Sequence, residues 1–345
     1  MAIVTIIGSG MMGSALAFPA RENGHEVRLV GTHLDADIID ECRKSNRHPK
    51  FTADFPAGVK FYKTEETDEA IRGSTFVICG VSSFGVEWFG RTVLPRIPKG
   101  MPVLSVTKGL LDDEAGGLKN YPEVWSDLCP GADICAIGGP CTSYELVAHD
   151  QTEVTFCGTD RAALTMMRDV MQTGYYHVTV SDDVAGTESA VALKNGYALG
   201  IALSIGVNER LRGSEELHFN SQAALFMQSV KEMKRLIRLL GGRESALDLG
   251  AGDLYVTVYG GRTRRIGILL GRGLSFGEAM EALAGVTLES VVVATRVARA
   301  VRVRAARGEL SLEDFPLLMH VDEIINRGAA VDIPWDKFTA EDFAE

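Results

Sequence analysis

None of the six cysteines stands in a CxxC pair or at the spacing of a zinc site, so the sequence gives no sign of a metal centre or a disulfide framework. Cys42, Cys79, Cys129, Cys135, Cys141 and Cys157 read instead as reduced thiols of a cytoplasmic protein, several of them in apolar strand-like runs. Acidic residues outnumber basic ones, 46 Asp and Glu to 35 Lys and Arg. The formal net charge of −11 disfavours general binding to nucleic acid or to anionic membranes, and any phosphate ligand must be met by locally gathered basic groups. The opening residues MAIVTIIGSG lack the basic flank and small-residue cleavage site of a signal peptide, so Ile3 to Ile7 reads as a strand and secretion is not implied. There is no low-complexity tract and no internal repeat. The apolar run Ala190–Val207 comes close to the ~18 residues that suggest a membrane span. Lys194 and Asn195 inside it would be expensive in lipid, which points to a buried helix of a soluble protein.

What is present is a globular composition, 46% hydrophobic and 23% charged, over 345 residues. That length suits two domains at roughly 100–200 residues each. Up to about Ala185, short β-branched runs alternate with helical patterns. The strand candidates are Ile3–Ile7, Glu26–Val30, Thr75–Cys79, Pro102–Thr107, Ile134–Ile137, Glu153–Cys157 and His177–Val180. Strands that alternate with helices and are apolar on both faces imply a mainly parallel, doubly wound sheet. After Ser181-Asp182-Asp183 the patterns become helical: Glu188–Val207, Ser221–Leu240, Arg262–Gly271, Ser275–Leu283, Leu288–Ala306 and Ser311 to about Arg327. Ser275 with Glu278, and Ser311 with Asp314, have capping-box spacing, and Gly241-Gly242 closes the helix ending RLIRLL. The expected fold is therefore α/β plus all-α: a Rossmann-type doubly wound sheet over residues 1–185, then a helical domain over 186–345. The acidic tail AVDIPWDKFTAEDFAE reads as loosely attached.

Directly after the first strand, Gly8-Ser9-Gly10-Met11-Met12-Gly13 opens a helix that should run to about Asn23, with the next strand from Glu26. This sets GxGxxG inside a βαβ unit of the length that dinucleotide binding requires. The first two glycines let the backbone approach a pyrophosphate, the third lets helix and strand pack closely, and the helix N-terminus faces the anion. An acidic residue at the end of the second strand would favour NAD. Here Val30-Gly31-Thr32-His33 intervenes before Asp35. Thr32 is then a cofactor-binding candidate, and the missing acid leaves room for a 2′-phosphate, so the expected cofactor is NADP or NAD.

The helix Glu188–Val207 is apolar on nearly every side yet carries Lys194 beside Asn195. An all-round apolar helix is a buried one, and a buried ammonium is costly enough to lower its pKa. The bland reading is a lysine whose stem packs while its head reaches water. Further stretches fall past the carboxyl ends of strands, where a doubly wound domain places its ligand. They are Val81-Ser82-Ser83-Phe84, Thr107-Lys108-Gly109 and Gly138-Gly139-Pro140-Cys141-Thr142-Ser143. In the helical part, Asp253 and Thr257 share a helix face at i, i+4. Gly260-Gly261 then presents Arg262 and Thr263 at the start of the next helix, a good oxyanion or phosphate site, whereas Arg264 and Arg265 read as solvated surface.

Together these motifs resemble the NAD(P)-dependent sn-glycerol-3-phosphate dehydrogenase family over nearly the whole chain. The likeness is carried by GxGxMG at Gly8–Gly13, Lys108-Gly109, GP-x-x-x-x-E at Gly139–Glu145, ALKN at Ala192–Asn195, GDLxxT at Gly252–Thr257 and YGGR at Tyr259–Arg262. YGGR looks more like archaeal and eukaryotic members than the bacterial SRN form. The resemblance implies Lys194 as general acid/base, with Lys108, Asp253 and Thr257 among the catalytic group. Lys108, Gly139, Asn195, Asp253, Arg262 and Thr263 would contact a small phosphorylated substrate. Gly8, Ser9, Gly10, Met11, Met12, Gly13, Thr32, Phe84, Lys108, Ser143, Arg262 and Glu289 would contact the cofactor. It also implies a homodimer built on the helical domain. Two departures stand near substrate or nicotinamide: Thr263 where the family usually has asparagine, with one donor in place of two, and Cys141-Thr142-Ser143-Tyr144 in place of a small-aromatic-alanine run.

The expected reaction interconverts dihydroxyacetone phosphate and sn-glycerol 3-phosphate, with Lys194 exchanging a proton with the substrate oxygen and Lys108 stabilising its negative charge. Asp253 would orient the ammonium while its charge opposes the pKa drop that burial causes. Two other readings stay open. A related dehydrogenase could act on another polyol phosphate or a small hydroxyacid, and a dinucleotide-binding sensor would need only the glycine fingerprint.

Overall fold

A computed structural model describes residues 1–213, 218–285 and 288–338 of the protein. The chain divides into two compact units, Met1–Lys108 with Asn120–Glu188, and Gly109–Lys119 with Ser189–Glu345.

The first unit is a doubly wound α/β body. Its strands are β1 (Ile3–Ile7), β2 (Glu26–Val30), β3 (Lys60–Tyr62), β4 (Phe76–Cys79) and β5 (Val103–Ser105). Beyond a β6–β7 hairpin (Leu110–Asp112, Leu118–Asn120) come β8 (Ile134–Gly138), β9 (Thr152–Cys157) and β10 (Tyr176–Ser181). The eight-stranded sheet has the order β10-β9-β8-β5-β4-β1-β2-β3. Neighbouring strands in it run parallel, except that β8 pairs with β9 antiparallel. All four residues of β4 and all five of β8 are buried, as strands covered on both faces must be. The order in which strands are added reverses between β1–β2–β3 and β4–β5–β8, which is the switch point where such sheets bind ligands.

Several expectations needed revision. The helix after the glycines is two segments, Met11–Ala15 and Ala17–Glu22. Pro19 lacks the N–H that would bond the carbonyl of Ala15, and its ring crowds that carbonyl. The edge strand β3 and the β6–β7 hairpin went unforeseen, each strand being only three residues long. A division of the chain near residue 185 also misses that residues 109–119 group with the second unit. The physical reason is a row of arginines on the Glu289–Ala306 helix. Arg296 donates to the carbonyl of Leu110 (2.8 Å), Arg304 to that of Gly116 (2.9 Å), and Arg299 pairs with the buried Asp112.

The second unit is helical: the Ser189–Arg212 part of a helix that begins at Val184, then Phe219–Leu239, Ala246–Tyr259, Gly261–Gly271, Phe276–Ala282, Glu289–Ala306 and Pro316–Arg327. The Val184–Arg212 helix is long and apolar enough to cross a membrane, but 89% of its apolar window is buried within the protein. Its glycines mark close helix crossings. A Cβ on Gly206 would lie 2.1 Å from the carbonyl of Ile268, and one on Gly271 would lie 2.2 Å from that of Leu203. The helix that carries Asp253 and Thr257 spans Ala246–Tyr259, bounds that the sequence pattern did not give, since Gly250 and Gly252 weaken its local propensity. Packing decides it, with Gly250 against Ala190 and Met233. The tail is not loose as far as Phe338: Ile333 is buried in the core, and the N–H of Asp332 donates to His320 Nε2 (3.2 Å). Residues 339–345 of that tail lie outside the described residues.

Glu232, wholly buried on the Phe219–Leu239 helix, ties three helices together. Its carboxylate accepts from Tyr197 Oη (3.0 Å), Gln228 Nε2 (2.8 Å) and the backbone N–H groups of Leu317 (2.8 Å) and Leu318 (3.0 Å). The last two are first-turn groups with no partner inside their own helix. Burial nevertheless pushes the Glu232 carboxyl up to about 7, outweighing hydrogen bonds that favour its charged form. With the folded value above an unfolded value of about 4.3, the stability it contributes is complete below about pH 4.3 and is lost as pH rises through about 7. Glu232→Gln, which cannot ionise, is expected to lose less stability than the parent between about pH 5 and pH 8. Urea midpoints across that range check this, and parallel decline in the two proteins would refute it.

Candidate active site

In the first unit the glycine fingerprint has the geometry its spacing predicts. Gly8 sits at φ +111°, and its N–H donates to the carbonyl of Val30 (2.9 Å), joining the loop to β2. A Cβ on Gly13 would meet the Gly8 carbonyl at 2.2 Å, so the third glycine permits the close approach of helix and strand. A Cβ on Gly10 would meet nothing within 4 Å, leaving the middle glycine on the open side where a pyrophosphate backbone would lie. These residues fit a bound dinucleotide.

The loop is held from both sides at Ser9, which is fully buried. Asp35 Oδ2 accepts from the N–H of Ser9 (3.3 Å), the N–H of Thr32 (2.9 Å) and Thr32 Oγ1 (2.8 Å). The acid that stands too late in the sequence for the usual ribose contact thus folds back to the glycine loop beside Thr32. On the carbonyl side, His48 Nδ1 accepts from the N–H of Lys50 (3.1 Å), so its proton is on Nε2, which donates to the Ser9 carbonyl (3.1 Å). Burial lowers the His48 pKa, favouring this neutral form. Nothing in the local sequence singles out His48; only the fold brings it to Ser9.

Lys108 Nζ donates to the carbonyl of Gly139 (3.0 Å), and Gly139 itself has φ +127°. The two residues line a cavity of about 30 Å³ with Met12, Val106, Cys141 and Tyr176. Three candidates from separate stretches, Met12, Lys108 and Gly139, therefore meet. Met11 receives the Tyr144 hydroxyl at Sδ (3.5 Å). Phe84 stands 67% exposed, and Ser143 opens a short helix capped by Thr142. The six cysteines are free thiols, and burial pushes Cys79 and Cys135 up to about 12.

In the second unit Lys194 Nζ donates to Asp253 Oδ1 at 2.5 Å, with side chains 11% and 2% exposed. The head of Lys194 is turned to a carboxylate rather than out to water. Thr257 Oγ1 donates to the carbonyl of Asp253 (2.7 Å), so the hydroxyl is bonded along its own helix. Asn195 is half-buried beside Lys194. Gly261 (φ +81°) turns the chain into the Gly261–Gly271 helix, whose first turn carries exposed Arg262 and half-buried Thr263. Arg264, read as solvated surface, instead reaches back to the carbonyl of Val258 (3.4 Å). Glu289 is the first residue of the Glu289–Ala306 helix. Val286 and Thr287, which precede it in the stretch containing Glu289, lie outside the described residues.

A glycine-cradled dinucleotide loop at the switch point of a doubly wound sheet, followed by a helical unit that buries a lysine–aspartate pair, defines a nicotinamide-dependent oxidoreductase. Comparison with known proteins makes this particular. Residues 3–164 match the family described as NAD-dependent glycerol-3-phosphate dehydrogenase N-terminus, and residues 183–335 match its C-terminus. The NADP(+)-dependent glycerol-3-phosphate dehydrogenase of Archaeoglobus fulgidus is 35% identical over 286 residues, 81% of this chain and 83% of that protein. The glycerol-3-phosphate dehydrogenase [NAD(P)+] of Leuconostoc citreum is 29% identical, with 84% and 85% covered. The crystal structure of glycerol-3-phosphate dehydrogenase from Coxiella burnetii superposes with a TM-score of 0.79 at 25% identity, covering 98% of this chain and 97% of that one. The chain belongs to the NAD-dependent glycerol-3-phosphate dehydrogenase family and is an NAD(P)-dependent oxidoreductase acting on a CH–OH group.

The two glycine environments separate folding from binding. Gly13→Ala is expected to cost on the order of 3 kcal/mol through its clash with Gly8. Gly10→Ala should change stability by less than about 0.5 kcal/mol while weakening NADPH or NADH binding about tenfold or more. Thermal unfolding and fluorescence titration of each variant check this; equal loss of stability in the two would contradict it.

Proposed function

We propose that the protein interconverts dihydroxyacetone phosphate and sn-glycerol 3-phosphate with Lys194 as general acid and base. The observation that carries this is the short, buried Lys194–Asp253 pair between two helices of the second unit. A buried ion pair is a poor way to add stability, because desolvation of the two charges offsets their attraction. It is a good way to hold one proton donor in a fixed orientation.

Residues Gly8 to Gly13 and Thr32 would hold NADP or NAD, with Phe84, Ser143, Arg262 and Glu289 as further contacts. When bound, the nicotinamide supplies or receives the hydride at the substrate carbon. Lys194 gives its proton to the carbonyl oxygen as that oxygen becomes an alkoxide, and takes it back in the reverse direction. Asp253 orients the ammonium, and Thr257 braces the helix turn that carries Asp253. Lys108, directed by the Gly139 carbonyl, adds positive charge toward the developing oxyanion. Arg262, Thr263 and Asn195 bind the phosphate, and that binding energy aligns the carbonyl for reaction. The family membership supports the activity, and the names of the relatives support either nicotinamide cofactor. We further propose a cytoplasmic homodimer, assembled through the helical unit, that feeds glycerophospholipid metabolism.

Lys194→Ala is expected to lower turnover by at least about a hundredfold, the low end of general acid–base contributions, with little change in cofactor affinity. Near-parental turnover would remove Lys194 from this role. Oxidation of NADH and NADPH should be fastest with dihydroxyacetone phosphate. Faster turnover of an unphosphorylated ketoacid would instead favour a hydroxyacid dehydrogenase, the reading that the Thr263 and Cys141–Tyr144 departures keep in view.

A further inference from the structure

Lys108 closes the Met1–Lys108 stretch of the first unit and is bonded to Gly109, where the 109–119 segment of the second unit begins. Gly109 has φ +153°, a conformation that favours glycine, so the lysine is followed by a joint of wide backbone freedom. Both sides of that joint are anchored. Upstream, the N–H of the buried Thr107 donates to Ser105 Oγ (3.0 Å), and Thr107 Oγ1 donates to the carbonyl of Val81 (2.8 Å). Downstream, Arg296 Nη1 donates to the carbonyl of the buried Leu110 (2.8 Å). Arg296 is itself held by the buried Asp112, whose carboxylate lies 3.7 Å from its Nε and also pairs with Arg299. Arg304 donates to the carbonyl of Gly116 (2.9 Å). At i, i+3 and i+8 these arginines lie along one face of the Glu289–Ala306 helix. Arg296 and Arg304 both take main-chain carbonyls, so the row fixes the path of the backbone as well as the Asp112 side chain.

We propose that Arg296 is a positioning residue for Lys108: by holding the Leu110 carbonyl two residues on, it takes up the freedom of Gly109 and fixes the main chain from which the lysine extends. This rests on the reading that Lys108 faces the substrate oxygen. Lysine carries its charge on a flexible four-carbon stem, so the charge is placed reproducibly only when root and head are both held. The head is directed by the Gly139 carbonyl (3.0 Å). The root is held by Thr107 on one side and by Arg296 on the other. A misplacement of about 1 Å at a reacting group can cost on the order of a hundredfold in rate. A guanidinium suits the task, since its planar fork can donate to a carbonyl while facing a carboxylate. Arg304 makes the same kind of bond but to Gly116, eight residues beyond Lys108, so it steadies the hairpin without fixing the lysine.

The test is steady-state reduction of dihydroxyacetone phosphate by the full-length protein and by Arg296→Met, which keeps much of the side chain's length and cannot donate. kcat/KM should fall about tenfold, with NADPH and NADH affinities unchanged in fluorescence titrations. In a Lys108→Met background the same substitution should cause no further loss, the signature of two residues acting through one contact. Arg304→Met should leave kcat/KM at the parental value. Asp112→Asn keeps the shape of the side chain but removes the charge that holds Arg296; it should lower kcat/KM in the same direction, and it carries the test if Arg296→Met does not fold. Independently of turnover, the backbone amides of residues 108–112 should exchange hydrogen about tenfold faster in Arg296→Met. Parental kcat/KM in a folded Arg296→Met, or a loss that persists in Lys108→Met, overturns the inference and leaves the dehydrogenase assignment standing. Unchanged exchange overturns it too, and that result is readable even from a parent inactive on dihydroxyacetone phosphate with either cofactor, an outcome that would overturn the assignment itself.

Discussion

The helical unit depends on one ion pair placed where charge is expensive. Lys194 and Asp253 come from helices far apart in sequence and meet at 2.5 Å with almost no exposure to water. Removing either would strand the other in a medium that stabilises it poorly, a loss of several kcal/mol by analogy with other buried pairs. Each therefore fixes the other. The Val184–Arg212 and Ala246–Tyr259 helices must stay in register for the pair to exist, and Gly250 lets them approach by packing against Ala190. An ammonium held this way is ordered before any ligand arrives, which is the preorganisation that the role proposed for Lys194 requires.

The first unit meets a different constraint, the close approach of backbone to backbone and to an anion. Gly8 and Gly13 exist for packing: no side chain fits at either. Gly10 exists for access. Around them, Asp35 accepts a hydrogen bond from the N–H of Ser9 and His48 donates one to its carbonyl, so the peptide units flanking the open face are fixed by side chains from outside the loop. A loop of this kind presents its backbone without having to order itself on binding, which lowers the entropic cost of association.

Three buried acids show how far environment decides what a carboxyl does. Asp253 is paired with an ammonium and orients it. Glu232 receives four hydrogen bonds and staples helix ends, yet sits so deep that burial pushes its carboxyl up to about 7. Glu188 has an oxygen with no hydrogen-bond partner among the described residues, and burial pushes its carboxyl up to about 8.

The sequence by itself determined the fold class, since alternating apolar strands and helices admit little besides a doubly wound sheet, and the shift to unbroken helical periodicity marks a second body. It also determined the glycine loop and nominated Lys108, Lys194, Asp253 and Arg262, because residues in motifs keep fixed spacing along the chain. It did not reveal that Asp35 and His48 converge on Ser9, that the 109–119 hairpin joins the helical unit through Arg296, Arg299 and Arg304, or that Glu188 is buried. These are contacts between residues distant in sequence, made by side chains that carry no local pattern. Periodicity reports which face of an element is apolar; only tertiary packing decides which polar group is enclosed on that face, and enclosure is what gives a lysine a defined partner and an acid an altered proton affinity.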